Sequence, residues 1–143
     1  MNAVRAGQRP RTTDRRSAGS AHTLLTRSRA VLFEARDSDG ADERFRLAHL
    51  SALRTAAAVL ADRGRPAPGN RRLVSAWVLI NAVAPDLADW AAYFAAGAPA
   101  RAAIEAGASS VVSAREADDQ WRAAEEFLGV VEASLGLLAP LAS

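Results

Sequence analysis

The chain has 143 residues, a net charge of +2 and two histidines, and it contains neither cysteine nor lysine. This length suffices for one domain with a buried core, and the absence of cysteine excludes a disulfide framework and thiolate metal sites. Because the two histidines stand far apart in sequence, we expect neither a structural zinc site nor any other metal or cofactor.

The arginines are concentrated at the N-terminus, where residues 1–29 contain seven arginines and one aspartate. Residues 1–19 combine arginine with Gly, Pro, Ser and Thr and show no apolar period, which predicts a disordered basic tail. This tail could contact RNA, DNA or another polyanion, or it could simply be solvated.

No apolar run reaches the roughly 20 residues of a membrane span, and none follows the N-terminal charges as in a secretory signal. We therefore expect a cytoplasmic protein without a membrane partner.

A single domain is predicted over residues 20–143, and its first helix begins at Ser20, a residue type that caps free backbone N–H groups. The helix extends through Arg36, and one of its faces is largely apolar. That face consists of Ala21, Leu24, Leu25, Ser28, Val31, Leu32 and Ala35. Asp37 to Gly40 is predicted to form a turn.

The second helix, Asp42 to Arg63, is the longest helical pattern and the element around which we expect the others to pack. Its first stripe, at alternating steps of four and three, comprises Phe45, His49, Ala52, Ala56 and Val59. A second stripe comprises Arg46, Leu50, Leu53, Ala57 and Leu60. Two adjacent stripes indicate at least two neighbouring helices. Arg44, Ser51, Thr55 and Asp62 fall on the remaining side, which we expect to face water.

Prolines and glycines in residues 64–70 end this helix. Four arginines lie on or beside that loop, namely Arg63, Arg65, Arg71 and Arg72. They form a candidate nucleic-acid or anion site, although a solvated turn whose arginines favour the helix dipole is the simpler interpretation.

The segment from Leu73 to Val83 is apolar almost all round, which predicts a helix buried on most sides. Pro85 fits the first turn of the next helix, whose apolar face includes Trp90 and Phe94. Gly97 is a plausible stop for that helix, and Pro99 would open a further short helix that ends near Gly107.

The last helix runs from Ala114 to Leu138 behind a capping box formed by Ser113 and Glu116. Its stripe comprises Ala117, Trp121, Ala124, Leu128, Val131, Leu135 and Leu138. This stripe could pack within the chain or against a second subunit. Because no strand-like alternation occurs, we predict an all-α, up-and-down bundle of five to six helices.

Three stretches resemble the HEPN superfamily in order and spacing: RFRLAHLSALRTAAAVLA, SAWVLINAVAPDLADWAAYFAAG and SAREADDQWRAAEEFL. The similarity covers roughly residues 20–138 and is strongest to a small, stand-alone actinobacterial branch of the Streptomyces type. It implies a helical bundle that forms homodimers and binds or acts on RNA. Catalytic members use an arginine and a histidine a few residues apart as a metal-independent ribonuclease pair, and Arg44 and His49 match that spacing.

We carry three functional hypotheses forward. The first is a non-catalytic module that binds RNA, a nucleotide or a protein partner. The second is an endoribonuclease in which His49 is the general acid/base and Arg44 or Arg46 stabilises the transition-state charge. The third is a purely structural partner protein. The apolar stripe around His49 predicts an enclosed, hydrogen-bonded imidazole, and Arg44 would point about 140° away from it on a regular helix.

Overall fold

Five α-helices and one short 3₁₀ turn make up the computed structural model, which describes residues 12–64 and 75–136. The helices are α1 (Thr12–Asp37), α2 (Ala41–Arg63), α3 (Ala76–Val83), α4 (Ala88–Glu105) and α5 (Ala114–Ser134), and the 3₁₀ turn is Pro85–Leu87. These two ranges contain no strand, so the predicted all-α bundle is confirmed. Across the same ranges, no helix combines the length and the apolar character that a bilayer crossing requires.

Helix α2 lies at the centre of the bundle and packs against α1, α3, α4 and α5. It can have four neighbours because small side chains cover much of its surface. Ala48, Ala52, Ala56 and Ala58 are all fully buried. The first predicted stripe is confirmed, since each of its members from Phe45 to Val59 is buried.

The second predicted stripe of α2 is confirmed in part: Leu60 is buried, and Leu50 and Leu53 are partly buried and pack against the core. Ser51 and Thr55, which we expected to face water, are instead fully enclosed against α1. Their hydroxyl groups both contact the hydroxyl of Ser28 at 2.8 Å, and Ser28 also donates to the Ser51 carbonyl at 2.8 Å. Burial is tolerated because these polar groups satisfy one another.

Helix α1 begins at Thr12, eight residues before the predicted cap at Ser20. Residues 1–11 of the predicted tail lie outside the described residues.

Helix α3 begins at Ala76, and the Ser75 side chain accepts a hydrogen bond from the Val78 N–H. The prediction that this helix is buried on most sides is wrong, because Val78 is 57% exposed while Trp77 and Ile80 face the core.

Helix α4 continues through Gly97 and Pro99, so the predicted break between two helices is wrong. Pro99 is exposed, and the loss of one backbone hydrogen bond there is not enough to end the helix. Gly97 is also not a stop, because it lies where α4 packs closely on α2 and α5. The helix ends near Gly107, as predicted, and Gly107 has a positive φ of 97°.

The capping box of α5 is confirmed: Ser113 Oγ accepts from the Glu116 N–H at 3.0 Å, and Glu116 Oε1 accepts from the Ser113 N–H at 2.9 Å. The stripe that follows packs within the chain, since Leu128 and Val131 are fully buried. Trp121 and Leu135 are half-buried, and Leu138 lies outside the described residues. Phe127 and Gln120 were absent from the predicted stripe but are buried too.

Candidate functional site

A polar cleft lies where the end of α1, the beginning of α2 and the beginning of α5 meet. Its volume is about 320 Å³, and it is lined by Arg36, Arg44, Asp118, Trp121 and Arg122. The lining therefore combines three guanidinium groups, one carboxylate and one indole ring. We call this site the arginine cleft.

Arg44 is the fixed cation of the arginine cleft. Its Nη1 donates to Asp118 Oδ1 at 3.0 Å, and its Nη2 donates to the Ser38 carbonyl at 2.9 Å. The side chain is only 23% exposed. These contacts join α2 to α5 and to the α1–α2 turn, so the planar guanidinium has a defined orientation before any ligand arrives.

Trp121 forms a rigid wall of the arginine cleft. Its indole N–H donates to the Leu32 carbonyl of α1 at 2.9 Å, although the two residues are 89 positions apart in sequence. Because this bond fixes one edge of the ring, the indole cannot turn freely. The cleft therefore presents an aromatic surface of constant orientation beside its arginines.

Arg36 and Arg122 are the exposed cations of the arginine cleft, with side chains that are 58% and 71% exposed. Arg36 lies 3.5 Å from Asp37 and over the ring of Phe33, and Arg122 lies 3.6 Å from Asp119. Exposed ion pairs of this length contribute little free energy. Either guanidinium can therefore leave its carboxylate partner for a better anion.

The structure does not bring together the three residues proposed as a ribonuclease site. Arg44 lies in the arginine cleft, whereas Arg46 makes two hydrogen bonds of 2.8 Å to Glu43 on its own helix. That bidentate contact lowers the pKa of Glu43 and raises the pKa of Arg46. His49 contacts neither arginine through a hydrogen bond and points into the core.

His49 is fully buried, as its apolar stripe predicted. Its Nε2 lies 3.0 Å from the Phe94 carbonyl, which can only accept, so Nε2 carries the proton. The ring packs edge-on against Trp77, with the ring centroids 6.0 Å apart. Burial lowers the pKa of His49 below its usual range, because the charged form would lose its hydration. The imidazole is therefore a neutral part of the core.

The arginines predicted around the α2–α3 loop divide into two groups. Arg63 donates to both carboxylate oxygens of Asp86, at 2.7 Å and 3.2 Å. This pair raises the pKa of Arg63 and lowers that of Asp86. Its charge is thus already matched within the chain. Arg65, Arg71 and Arg72 lie outside the described residues, so that part of the candidate anion site stays a prediction.

Sequence reasoning missed most of the arginine cleft. Trp121 and Arg122 follow Asp118 by three and four residues, a spacing that places both beside Asp118 on one side of a helix. This spacing indicates a shared side of the helix. The contact of that side with Arg36 and Arg44, however, depends on tertiary packing, which a local sequence pattern does not show. Among the side chains described, in residues 19–64 and 75–136, no three from His, Asp or Glu come close enough to hold a metal ion.

Comparison with protein families gives a match to the model described as SAV_6107-like HEPN, over residues 35–132. No curated protein and no solved structure matches the chain significantly. The matched range begins at the end of α1 and extends almost to the end of α5. It includes every residue that lines the arginine cleft.

Proposed function

Because the chain belongs to the SAV_6107-like HEPN family, we propose that it is a non-catalytic binding module that holds RNA or a nucleotide by its phosphate in the arginine cleft. The observation that carries this proposal is the meeting of Arg36, Arg44 and Arg122 around one cleft. The superfamily resemblance, which implied an RNA partner, agrees with the chemistry of that lining.

Guanidinium groups suit this ligand because they offer two parallel N–H donors to a pair of phosphate oxygens. Arg44 is held in place by Asp118 and the Ser38 carbonyl, so little side-chain entropy is lost when it binds. Arg36 and Arg122 can then turn from their exposed carboxylate partners towards the phosphate. Trp121 offers a surface on which a base can stack, as aromatic rings do in many single-strand binding sites.

The same geometry favours binding over cleavage. Metal-independent RNA cleavage needs a group near the phosphate that can give or accept a proton at neutral pH. His49 is enclosed in the core and bonded to the Phe94 carbonyl. The carboxylate in the lining, Asp118, is already paired with Arg44. We therefore keep the endoribonuclease as the alternative that the experiment below can reveal.

The test measures binding of a fluorescently labelled single-stranded RNA and of a labelled nucleotide by anisotropy, at several salt concentrations. We expect Arg36→Gln/Arg122→Gln to weaken binding about tenfold, because two charge-assisted contacts to phosphate are lost. The dependence of log affinity on log salt should also become shallower by about one to two. Arg27→Gln is the matched control, since Arg27 is exposed on α1 but does not line the cleft.

Equal binding by the parent protein and the double variant would contradict the proposal. RNA cleavage by the parent that is lost in His49→Ala, with unchanged thermal stability, would favour the endoribonuclease instead. Homodimerisation, which the superfamily resemblance implies, belongs to the same proposal, and analytical ultracentrifugation at micromolar concentration measures it. A monomer under those conditions would contradict the proposed homodimer. It would not affect the proposal for the arginine cleft, because that site lies within one chain.

A further inference from the structure

A second groove runs between α4 and α5, on another side of α5 from the arginine cleft. Its volume is about 430 Å³ and it is open to solvent along one side. The lining residues are Asp89, Trp90, Tyr93, Asp119, Arg122, Ala123 and Glu126. We call it the acidic groove.

The floor of the acidic groove is an aromatic platform anchored in the core. The ring of Trp90 stacks on that of Phe127, with centroids 5.6 Å apart and planes 29° apart. The ring of Tyr93 meets Phe94 edge-on at 5.2 Å and remains 43% exposed. Because Phe94 and Phe127 are fully buried, the platform is rigid, yet part of it faces water.

The rim of the acidic groove carries three carboxylates and one guanidinium. Asp119 lies 3.6 Å from Arg122. Asp89 and Glu126 make no ion pair with any of the side chains that the structure describes, in residues 19–64 and 75–136. The pKa of Tyr93 is raised, first by burial and then by the negative charge of Asp119. The groove therefore combines an aromatic surface with a negative potential.

We propose that the acidic groove docks a basic peptide segment of a partner protein, with an arginine or lysine side chain lying on the Trp90–Tyr93 platform and its charge facing Asp89 and Glu126. A cation is attracted to the face of an aromatic ring as well as to carboxylates, and arginine can stack on the ring and pair with a carboxylate at the same time. A phosphate, by contrast, would meet repulsion from all three carboxylates.

The open side of the groove is the reason for choosing a peptide rather than a small amine. Sites for small molecules generally enclose most of the ligand surface, whereas this groove leaves one side of its occupant in water. A peptide backbone can lie along that side while one basic side chain reaches the platform. Arg122 lines both sites, but the proposal does not rest on phosphate binding, because the occupant of the acidic groove is a cation and its named partners, Asp89 and Glu126, do not line the arginine cleft.

The test uses the full chain and two fluorescently labelled short peptides, one of alternating arginine and glycine and one with glutamate in place of arginine. We expect the parent protein to bind the arginine peptide and not the glutamate peptide. Asp89→Asn/Glu126→Gln should weaken binding about tenfold, since two charged partners are lost. Tyr93→Leu should weaken it as well, because the ring face is removed while an apolar side chain remains.

Glu125→Gln is the matched control: Glu125 is exposed next to Glu126 in sequence but does not line the groove. It should bind the peptide as the parent does, and circular dichroism should show that every variant is folded. Absence of arginine-peptide binding by the parent, or equal binding by the parent and Asp89→Asn/Glu126→Gln, would overturn the proposal. Binding of spermidine with the same residue dependence, but no binding of the peptide, would overturn it in favour of a free amine.

Discussion

Gly97 of α4 lies directly against the ring of Phe45 on α2. A Cβ atom at position 97 would be 3.2 Å from Phe45 Cζ and 3.4 Å from Gln120 Nε2. Three helices therefore meet at a point that has room for a hydrogen atom and little more. Since α2 carries the buried His49 and α4 the carbonyl to which it is bonded, this close approach also sets the geometry of that hydrogen bond.

Replacing Gly97 tests the importance of this contact. We expect Gly97→Val to lower the free energy of unfolding by about 1–3 kcal/mol, because the added methyl groups would overlap Phe45 and force α4 away from α2. Urea denaturation measures the change. Gly129→Ala is the control: it lies in α5 with nothing within 4 Å of an added Cβ, so it should stabilise the protein by about 0.5–1 kcal/mol. Gly97→Val with parental stability would show that the three helices can separate without cost.

The buried hydroxyl cluster makes a second prediction. Ser28→Ala removes the group to which both Ser51 and Thr55 are bonded, and leaving buried polar groups without partners costs about 1–3 kcal/mol. The triple variant Ser28→Ala/Ser51→Ala/Thr55→Val removes all three hydroxyls together, so its loss should be smaller than the sum of the single losses. Urea denaturation of the single and triple variants gives the comparison. Strict additivity would indicate that the hydroxyls do not act together.

His49 makes stability depend on pH. Its pKa is lowered in the folded protein from the usual value of 6.5, chiefly by burial. As the pH falls below about 6.5, the unfolded chain takes up a proton at this residue while the folded chain does not, so the free energy of unfolding decreases. This contribution is fully present above that pH and is lost progressively towards the lowered pKa.

His49→Gln should remove that contribution, so its stability should change less than the parent's between pH about 7 and about 5. Thermal melts across this range provide the measurement. Because the amide can still donate to the Phe94 carbonyl but does not fill the space of the imidazole beside Trp77, the variant's stability at neutral pH should be lower by about 1–3 kcal/mol. Thr23→Gln, at an exposed position of α1, removes no ionisable group and should keep the full pH dependence. Parallel pH profiles for the parent and His49→Gln would refute this assignment.

Asp42 connects the beginning of α2 to the segment that leads into α5. Its carboxylate accepts hydrogen bonds from the Val111 and Val112 N–H groups, with donor–acceptor distances of 3.0 Å for each. Asp42→Ala would leave both partly buried donors without this partner and should cost about 1–3 kcal/mol. Hydrogen exchange should show faster exchange at these two amides. Asp62→Ala, at the exposed end of α2, should change neither stability nor that exchange.

The helical fold was predictable because apolar residues recur with the period of a helix, and the first stripe of α2 and the capping box of α5 followed from local rules. The burial of Ser51 and Thr55 was not predictable, because their partner Ser28 is 23 and 27 residues away. Local rules also misread Gly97 and Pro99. Both residues often end helices, yet here Gly97 allows close packing and Pro99 lies exposed within the helix.

The residues of the candidate site were harder to predict from the sequence than the helices of the fold. Arg44 was singled out for its spacing to His49, but its actual partners are Asp118 and the Ser38 carbonyl. Neither partner can be read from a local pattern, since the arginine cleft is assembled from three helices. The enclosure of His49, by contrast, followed from the apolar residues one turn before and after it.

The contact of Ser28 with Ser51 and Thr55 also defines how α1 and α2 align along their axes. Two fully buried alanines, Ala48 and Ala58, lie on the same side of α2 as Ser51 and Thr55, and such uniform side chains discriminate poorly between neighbouring positions along a helix. A slip of one turn would place Ser28 beside Leu47 or Val59 in place of one of its two hydroxyl partners. The displaced alignment would then contain an unsatisfied buried hydroxyl, whereas the native one does not. Three small polar side chains thus give the hairpin a single register that its apolar residues alone would not specify.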